Sequence, residues 1–279
     1  MGLGEDYLKH IVDTALTEDL GLSGDITSQA IFTEDKPGKA VIVAKQRGVI
    51  AGLFVAEAVF YAVDSTVRFE ARIADGDLVE PEDVVIQLAG NLLAILSAER
   101  IALNFLGHMS GIATLTREYV EQAAPYGVAV KDTRKTLPGL RALEKYAVLV
   151  GGGRNHRFGL YDAVLIKDNH IQAAGGITEA VARVRNNLKE KMPVEIEVRT
   201  AAEVTEALAA GADIIMLDNM DAVGIAAAVA IIGDKAEVEV SGGVTLENIA
   251  QIAAAGPDFL SVGALTQSAP AFDFSLRVT

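Results

Sequence analysis

Arg134, Lys135, Arg154, His156 and Arg157 fall close together in the chain, and their types suit the capture of a small anion. They belong to the stretch from Lys131 to Lys167, which holds eight of the chain's 24 Lys and Arg but only three acids, Asp132, Glu144 and Asp162. The chain as a whole carries a formal net charge of −14. A cationic concavity in an acidic protein concentrates small anions, while the surrounding surface repels large polyanions, so nucleic acid is not an expected partner. A guanidinium matches a carboxylate through two parallel hydrogen bonds, so several arginines meeting in one place suit a ligand with more than one carboxylate. Gly151-Gly152-Gly153 precedes Arg154 and lets backbone N–H groups come close to such an anion. A solvated basic loop would carry the same residue types; the glycine framing and the nearby strand ends favour a site.

Two acids, Glu197 and Asp218, interrupt otherwise apolar runs, VEIEV and IIMLD. Placed at strand ends, they suit ribose hydroxyls or Mg²⁺, which takes oxygen ligands. Glu195 shares a strand face with Glu197, because residues i and i+2 point the same way. The offset of 21 residues to Asp218 favours Glu197. Ser241-Gly242-Gly243 and Val262-Gly263-Ala264 are small, partly hydroxylic segments that suit backbone N–H contacts to a phosphate. Arg100, Asn104, His108 and Gly111 share one face of a long apolar helix, as either an interface or a site wall. His10 reads as a surface residue, and no HxH or HExxH spacing supports zinc.

The elements that must position these residues fall into two textures. In the first, Leu8, Ile11, Val12, Ala15 and Leu16 follow helical spacing, and strands are expected over 39–45, 66–72 and 84–88. A helix is expected from Asn91 to Ala123, interrupted near Gly107 and Gly111. From Val128 strands and helices alternate, with strands over 128–131, 162–167, 194–198, 213–217, 236–240 and 258–262, and helices at Ala201–Ala210 and Leu246–Ala255. Glu197, Asp218, Ser241 and Gly263 recur at intervals of 21, 23 and 22 residues, each at or just past a strand's C-terminal end, and Lys167 ends the strand before them. Such ends converge on one mouth of a parallel β/α barrel. Six strands fall short of eight, so the barrel reads as incomplete. The alternative, an open dinucleotide-binding sheet, lacks its GxGxxG. Phe272, Phe274, Leu276 and Val278 alternate as a strand that leaves the barrel for the N-terminal module's sheet. The expected domains are therefore 1–110, completed by 271–279, and 111–270.

Composition bounds the setting. The chain has 279 residues, 51% of them apolar, and a mean hydropathy of +0.31. With aromatics at 5% and no Trp, small aliphatics must fill the core. Zero cysteines exclude disulfides and thiolate chemistry. The N-terminal MGLGEDYLKH lacks signal-peptide blocks, and the longest small-apolar run, around Ala222 to Ile232, is too short to span a bilayer. A cytoplasmic protein without a membrane partner is expected.

The block TRKTLPGLRALEKYAVLVGGGRNHRFGLYDAVLIKDNH resembles the core of the quinolinate phosphoribosyltransferase family. EDLGLSGDITS, SAERIALNFLGHMSGIAT, ADIIMLDNM, SGGV and SVGALT resemble further blocks of that family, in its order. The resemblance implies a type II phosphoribosyltransferase fold, an α/β architecture in which an N-terminal α/β sandwich joins an incomplete parallel β/α barrel. It implies a homodimer or higher oligomer, Mg²⁺, and a reaction of quinolinate with phosphoribosyl pyrophosphate giving nicotinate mononucleotide, CO₂ and pyrophosphate in NAD synthesis. By the same resemblance, Thr133, Arg134, Lys135, His156 and Arg157 bind quinolinate, and Arg100 reaches the partner subunit's site. Lys167 lies near pyrophosphate and substrate, Glu197 and Asp218 hold ribose hydroxyls or metal, and Ser241 to Gly243 and Val262 to Ala264 hold the 5′-phosphate. Lys135, Lys167, Glu197 and Asp218 are the residues expected to serve the chemistry. Leu137, Gln267 and the pair Arg199-Thr200 depart from the family's pattern. Three other readings compete: a molybdenum-associated relative of this family, against which the KDNH run at Lys167–His170 argues, an aldolase forming a Schiff base on Lys167, and a non-catalytic anion-binding protein.

Overall fold

A computed structural model describes residues 4–279; Met1, Gly2 and Leu3, the start of the N-terminal stretch read above, lie outside them. The chain divides into two compact units. The first runs up to Leu115 and adds Leu137–Gly151 and Ala269–Thr279; the second is Thr116–Thr136 with Gly152–Ser268.

In the first unit, β1 (Pro37–Ala44), β2 (Gly48–Val49), β3 (Arg68–Ala71), β4 (Leu78–Val79) and β5 (Val84–Asn91) are joined by the chain's last strand, which pairs antiparallel with β1. The sheet order is last strand–β1–β5–β3, with β2 and β4 as a separate pair. Ala40 and Ile42 of β1 sit opposite Leu88 and Ile86 of β5, and all four are buried. Helices α1 (Glu5–Leu20), α2 (Ile26–Ile31), α3 (Leu53–Val63), α4 (Leu92–Ala123) as far as Leu115, and α5 (Arg141–Val150) supply the rest. Helix α1 buries Ile11 and Val12, with Leu8, Ala15 and Leu16 packed behind them, which is the stripe its spacing predicts.

Helix α4 is where expectation and structure part. It runs unbroken for 32 residues through Gly107 and Gly111. Those glycines are notches rather than breaks. A Cβ on Gly107 would lie 2.8 Å from the Phe272 carbonyl oxygen, and one on Gly111 would collide with that of Pro270. Phe272 N–H donates to the Gly107 carbonyl at 2.9 Å, fastening the C-terminal segment to the helix. By length and composition α4 passes for a membrane span, but its apolar residues, among them Ile95, Ala102, Leu106 and Met109, are buried in the protein.

Segment 137–151 lies within the stretch expected to form the barrel, yet it groups with the first unit. The reason is packing: α5 buries Leu143, Ala147 and Val148, Glu144 pairs with His108 at 2.9 Å, and Tyr146 donates to Asp75 at 2.7 Å.

The second unit holds six parallel strands, β6 (Ala129–Lys131), β7 (Val164–Ile166), β8 (Val194–Val198), β9 (Ile214–Asp218), β10 (Glu237–Ser241) and β11 (Phe259–Ser261). Their order is β6–β11–β10–β9–β8–β7, and among the described residues β6 and β7 do not pair, so the barrel is open. Ile196, Ile215, Leu217, Val240 and Leu260 are buried, as expected of strands covered on both faces. Between and after the strands come α6 (Asp168–Ala174), α7 (Ile177–Asn187), α8 (Ala201–Ala210), α9 (Ala222–Ile232), α10 (Ile249–Ala253) and α11 (Ala264–Gln267). Helix α8 begins at Thr200, whose hydroxyl caps Glu203 N–H while the Glu203 carboxylate accepts from Thr200 N–H. Helix α10 is shorter than its pattern predicts because the Asn248 side chain accepts from Thr245 N–H and donates to the Gly243 carbonyl, holding a turn. The last strand, Phe274–Val278, is β12.

Candidate active site

Parallel register places Ser241 opposite both Asp218 and Ser261, and Ser261 opposite Lys131, so neighbouring strands end at one level. Over those ends opens a cavity of about 640 Å³ within the second unit. Thr133, Arg134, Lys135, His156, Arg157, Lys167, Glu197, Asp218, Ser241, Gly242, Gly243, Val262, Gly263 and Ala264 all line it. Arg100 does not; it is solvent-exposed on α4 in the first unit. Gln267, one of the departures noted above, also lines the cavity, as does Asn219.

On one side stand the guanidinium groups. Buried Asp132, just past β6, accepts from His156 N–H at 2.9 Å and so ties the second basic segment to the first. Burial pushes the Arg157 pKa down, and the nearby Arg134 charge pushes the same way. Arg134 Nε is buried and, among the described residues, has no hydrogen-bond partner. A buried charged donor left unsatisfied is costly, and two like charges held together add to that cost. Both costs disappear when an anion enters. The Lys135 stem lies across Gly263, where a Cβ would sit 2.8 Å from Lys135 Cδ. The turn carrying Lys135 is held by Thr133 Oγ1, which accepts Lys135 N–H at 3.0 Å, and by Thr266 Oγ1, which donates to the Lys135 carbonyl at 2.7 Å.

The acids of the lining are already paired. Lys167, at the end of β7, places Nζ 2.6 Å from Glu197 Oε2. Arg199, just past β8, reaches Asp218 at 3.1 Å, Asp168 at 3.3 Å and Glu197 at 3.6 Å. Gly242 has φ +90°, and a Cβ there would run into the Asn219 side chain, so the loop after β10 requires glycine.

Sequence reasoning left one group without a role. Beneath the cavity, Glu195 and Glu239 face His156 Nε2 at 3.1 and 3.4 Å. Glu239 also takes Lys131 Nζ at 2.6 Å and the Ser261 hydroxyl at 2.5 Å. Burial would raise the Glu239 pKa, but hydrogen bonds and charge from His156 and Lys131 hold it low. For Glu195 burial prevails and the pKa is raised; its Oε1 has no partner among the described residues. Burial also works against a charged His156, but the two carboxylates outweigh it and push that pKa up to about 9. The Arg157 amide opposes a second ring proton, because it donates into His156 Nδ1 at 2.7 Å. This contact favours the Nε2–H form, with the ring proton aimed at the acids. His156 thus lines the cavity with both ring nitrogens turned to protein groups. The signal was present in VEIEV and EVEVS, where acids alternate inside apolar parallel strands and therefore point into the barrel. These three side chains form a compact His–Glu–Glu cluster, but Lys131 already supplies its cation.

Comparison with known proteins points to one family. The family model described as the N-terminal domain of quinolinate phosphoribosyl transferase matches residues 25–110, and that of its C-terminal domain matches residues 112–277. A probable nicotinate-nucleotide pyrophosphorylase [carboxylating] of Synechocystis is 46% identical, covering 94% of this chain and 90% of that protein. The chloroplastic nicotinate-nucleotide pyrophosphorylase [carboxylating] of Arabidopsis thaliana is 45% identical over 97% of this chain and 82% of its own length. The solved structure of the nicotinate-nucleotide pyrophosphorylase from Francisella tularensis superposes with a TM-score of 0.95 at 40% identity, covering 100% of this chain and 98% of that one.

Proposed function

The chain belongs to the quinolinate phosphoribosyltransferase family, and from that premise we propose that it joins quinolinate to phosphoribosyl pyrophosphate, giving nicotinate mononucleotide, CO₂ and pyrophosphate in NAD synthesis. The observation that carries this reading is the Arg134–Arg157 pair, two guanidinium groups brought together with a buried, unpartnered Nε. Quinolinate presents two adjacent carboxylates, which such a pair can satisfy bidentately. Thr133 and Lys135 line the same cavity, the Lys135 stem lying across Gly263. The ribose and phosphates take the other end, with Glu197 and Asp218 toward the hydroxyls and the Ser241–Gly243 and Val262–Ala264 backbones toward the 5′-phosphate.

The ring nitrogen attacks the anomeric carbon as the bond to pyrophosphate breaks, through a transition state with oxocarbenium character. The protein's part is to align both substrates and offset the negative charge that develops on the leaving group, the latter falling to Lys167. The quaternised ring nitrogen then accepts the electron pair left as the 2-carboxylate departs as CO₂, and a proton replaces it at the same carbon. No protein nucleophile takes part.

Glu197 and Asp218 fit Mg²⁺. They are oxygen donors within reach of a single guanidinium, and Arg199 with Lys167 supplies positive charge where a cation is wanted. When bound, Mg²⁺ would neutralise charge on the diphosphate. We further place the protein in the cytoplasm as a homodimer in which Arg100, exposed on α4, reaches the partner's site. Purified protein given quinolinate, phosphoribosyl pyrophosphate and Mg²⁺ is expected to form nicotinate mononucleotide, followed by absorbance. Failure to form it under those conditions would overturn the assignment.

A further inference from the structure

Arg199, just past β8, touches three carboxylates from three segments: Asp168 after β7, Glu197 in β8 and Asp218 ending β9. Lys167 holds the second Glu197 oxygen. Lys167 and Arg199 thus share three acids, leaving one formal negative charge uncompensated. A divalent ion approaching Glu197 and Asp218 alone therefore meets a guanidinium already in place. The Arg199 side chain is 54% exposed and also borders a neighbouring cleft of about 370 Å³ with Gln172 and Glu203, so it has room to swing aside. With one partner this exposed, solvent screens part of each pair's attraction. The contact is thus readily exchanged.

We propose that Arg199 is the internal counter-ion of the metal-binding acids. It occupies Asp218 and Glu197 in the free protein, keeps out a lone divalent cation, and releases the acids when the metal arrives on a diphosphate, whose oxygens then receive the guanidinium. One observation and two chemical arguments support this. One fork spans both acids; the fork also matches phosphate oxygens; and a diphosphate brings more negative charge than the carboxylates it would replace. The proposal rests on Glu197 and Asp218 being the metal ligands. Its consequence is that metal and diphosphate enter together rather than in sequence.

Mn²⁺ serves as the probe, titrated against the full-length protein with free Mn²⁺ read by electron paramagnetic resonance and no substrate present. Arg199→Ala should bind Mn²⁺ about tenfold more tightly than wild type, the effect of removing one unit charge beside a divalent ion near a protein surface. Arg199→Lys should keep most of the exclusion. With pyrophosphate added and protein-bound Mn²⁺ measured instead by equilibrium dialysis, the gain should be erased or reversed, since the variant then lacks a diphosphate contact. Equal Mn²⁺ affinities in wild type and Arg199→Ala would overturn the proposal. So would a gain that survives undiminished with pyrophosphate, or one that persists in Arg199→Ala/Asp218→Asn, where only bulk charge would be at work. Asp218→Asn alone tests the premise separately: if its Mn²⁺ affinity matches wild type, the ligand assignment fails. Thermal melts establish that each variant is folded.

Discussion

At the Arg134–Arg157 end of the cavity, neither guanidinium ion-pairs with a carboxylate among the described residues, and Arg134 Nε is buried without a partner. At the Lys167–Arg199 end both cations lie within 3.6 Å of an acid. The two ends therefore recognise their ligands by different economies of charge. The first is electrostatically strained when empty and relaxed when filled, which suits an anion bound in one fixed pose. The second is content when empty, so its ligand must compete with internal partners. That suits a substrate that brings its own counter-ion.

The largest test bears on the strained end. Arg134→Ala or Arg157→Ala should lower kcat/KM for quinolinate by roughly 10³-fold, about 4 kcal/mol, as expected when one partner of a desolvated charge pair is removed. Initial rates against quinolinate concentration read this out, and wild-type kinetics would remove the distinction between the two ends. The next test concerns the buried acids beneath the cavity. Glu239→Gln strands Lys131 in the interior and should cost about 3 kcal/mol of unfolding free energy in urea. The Glu239 pKa is lowered from an ordinary 4.5, so its stabilisation is present above that value and is lost as pH falls through the depressed one. Wild type and variant should therefore converge in stability as the solution is acidified below about pH 4; a constant gap would show that Glu239 does not titrate as a held carboxylate. The smallest effect is expected at the paired end. Lys167 is 45% exposed and shares its acid with Arg199, so Lys167→Ala should reduce kcat about 30-fold while the quinolinate KM changes little. A KM rise as large as that of Arg134→Ala would merge the two ends into one.

Much of this arrangement is legible in the chain because it is local. Strand ends at intervals near 22 residues, and a basic stretch in an acidic protein, are visible without coordinates. The rest depends on partners distant in sequence. Gly107 and Gly111 read as helix breaks until Pro270 and Phe272 are seen lying in their notches. Glu195 and Glu197 share a strand face, and only depth in the barrel separates them: one meets His156 below the cavity, the other Lys167 at its wall. Segment 137–151 follows the basic block in sequence, but its Glu144 and Tyr146 answer to His108 and Asp75 in the first unit.

Strand β12 pairs with β1 in register from Ala40–Val278 to Ala44–Phe274, so the chain's opening sheet is finished by nearly its last residues. During synthesis one edge of β1 must wait for the ribosome to deliver the whole barrel before it is covered, leaving an unpaired strand open to mispairing in the meantime. Removal of Phe274–Val278 would thus damage the sheet that β1 begins, although its other strands precede the barrel in the chain.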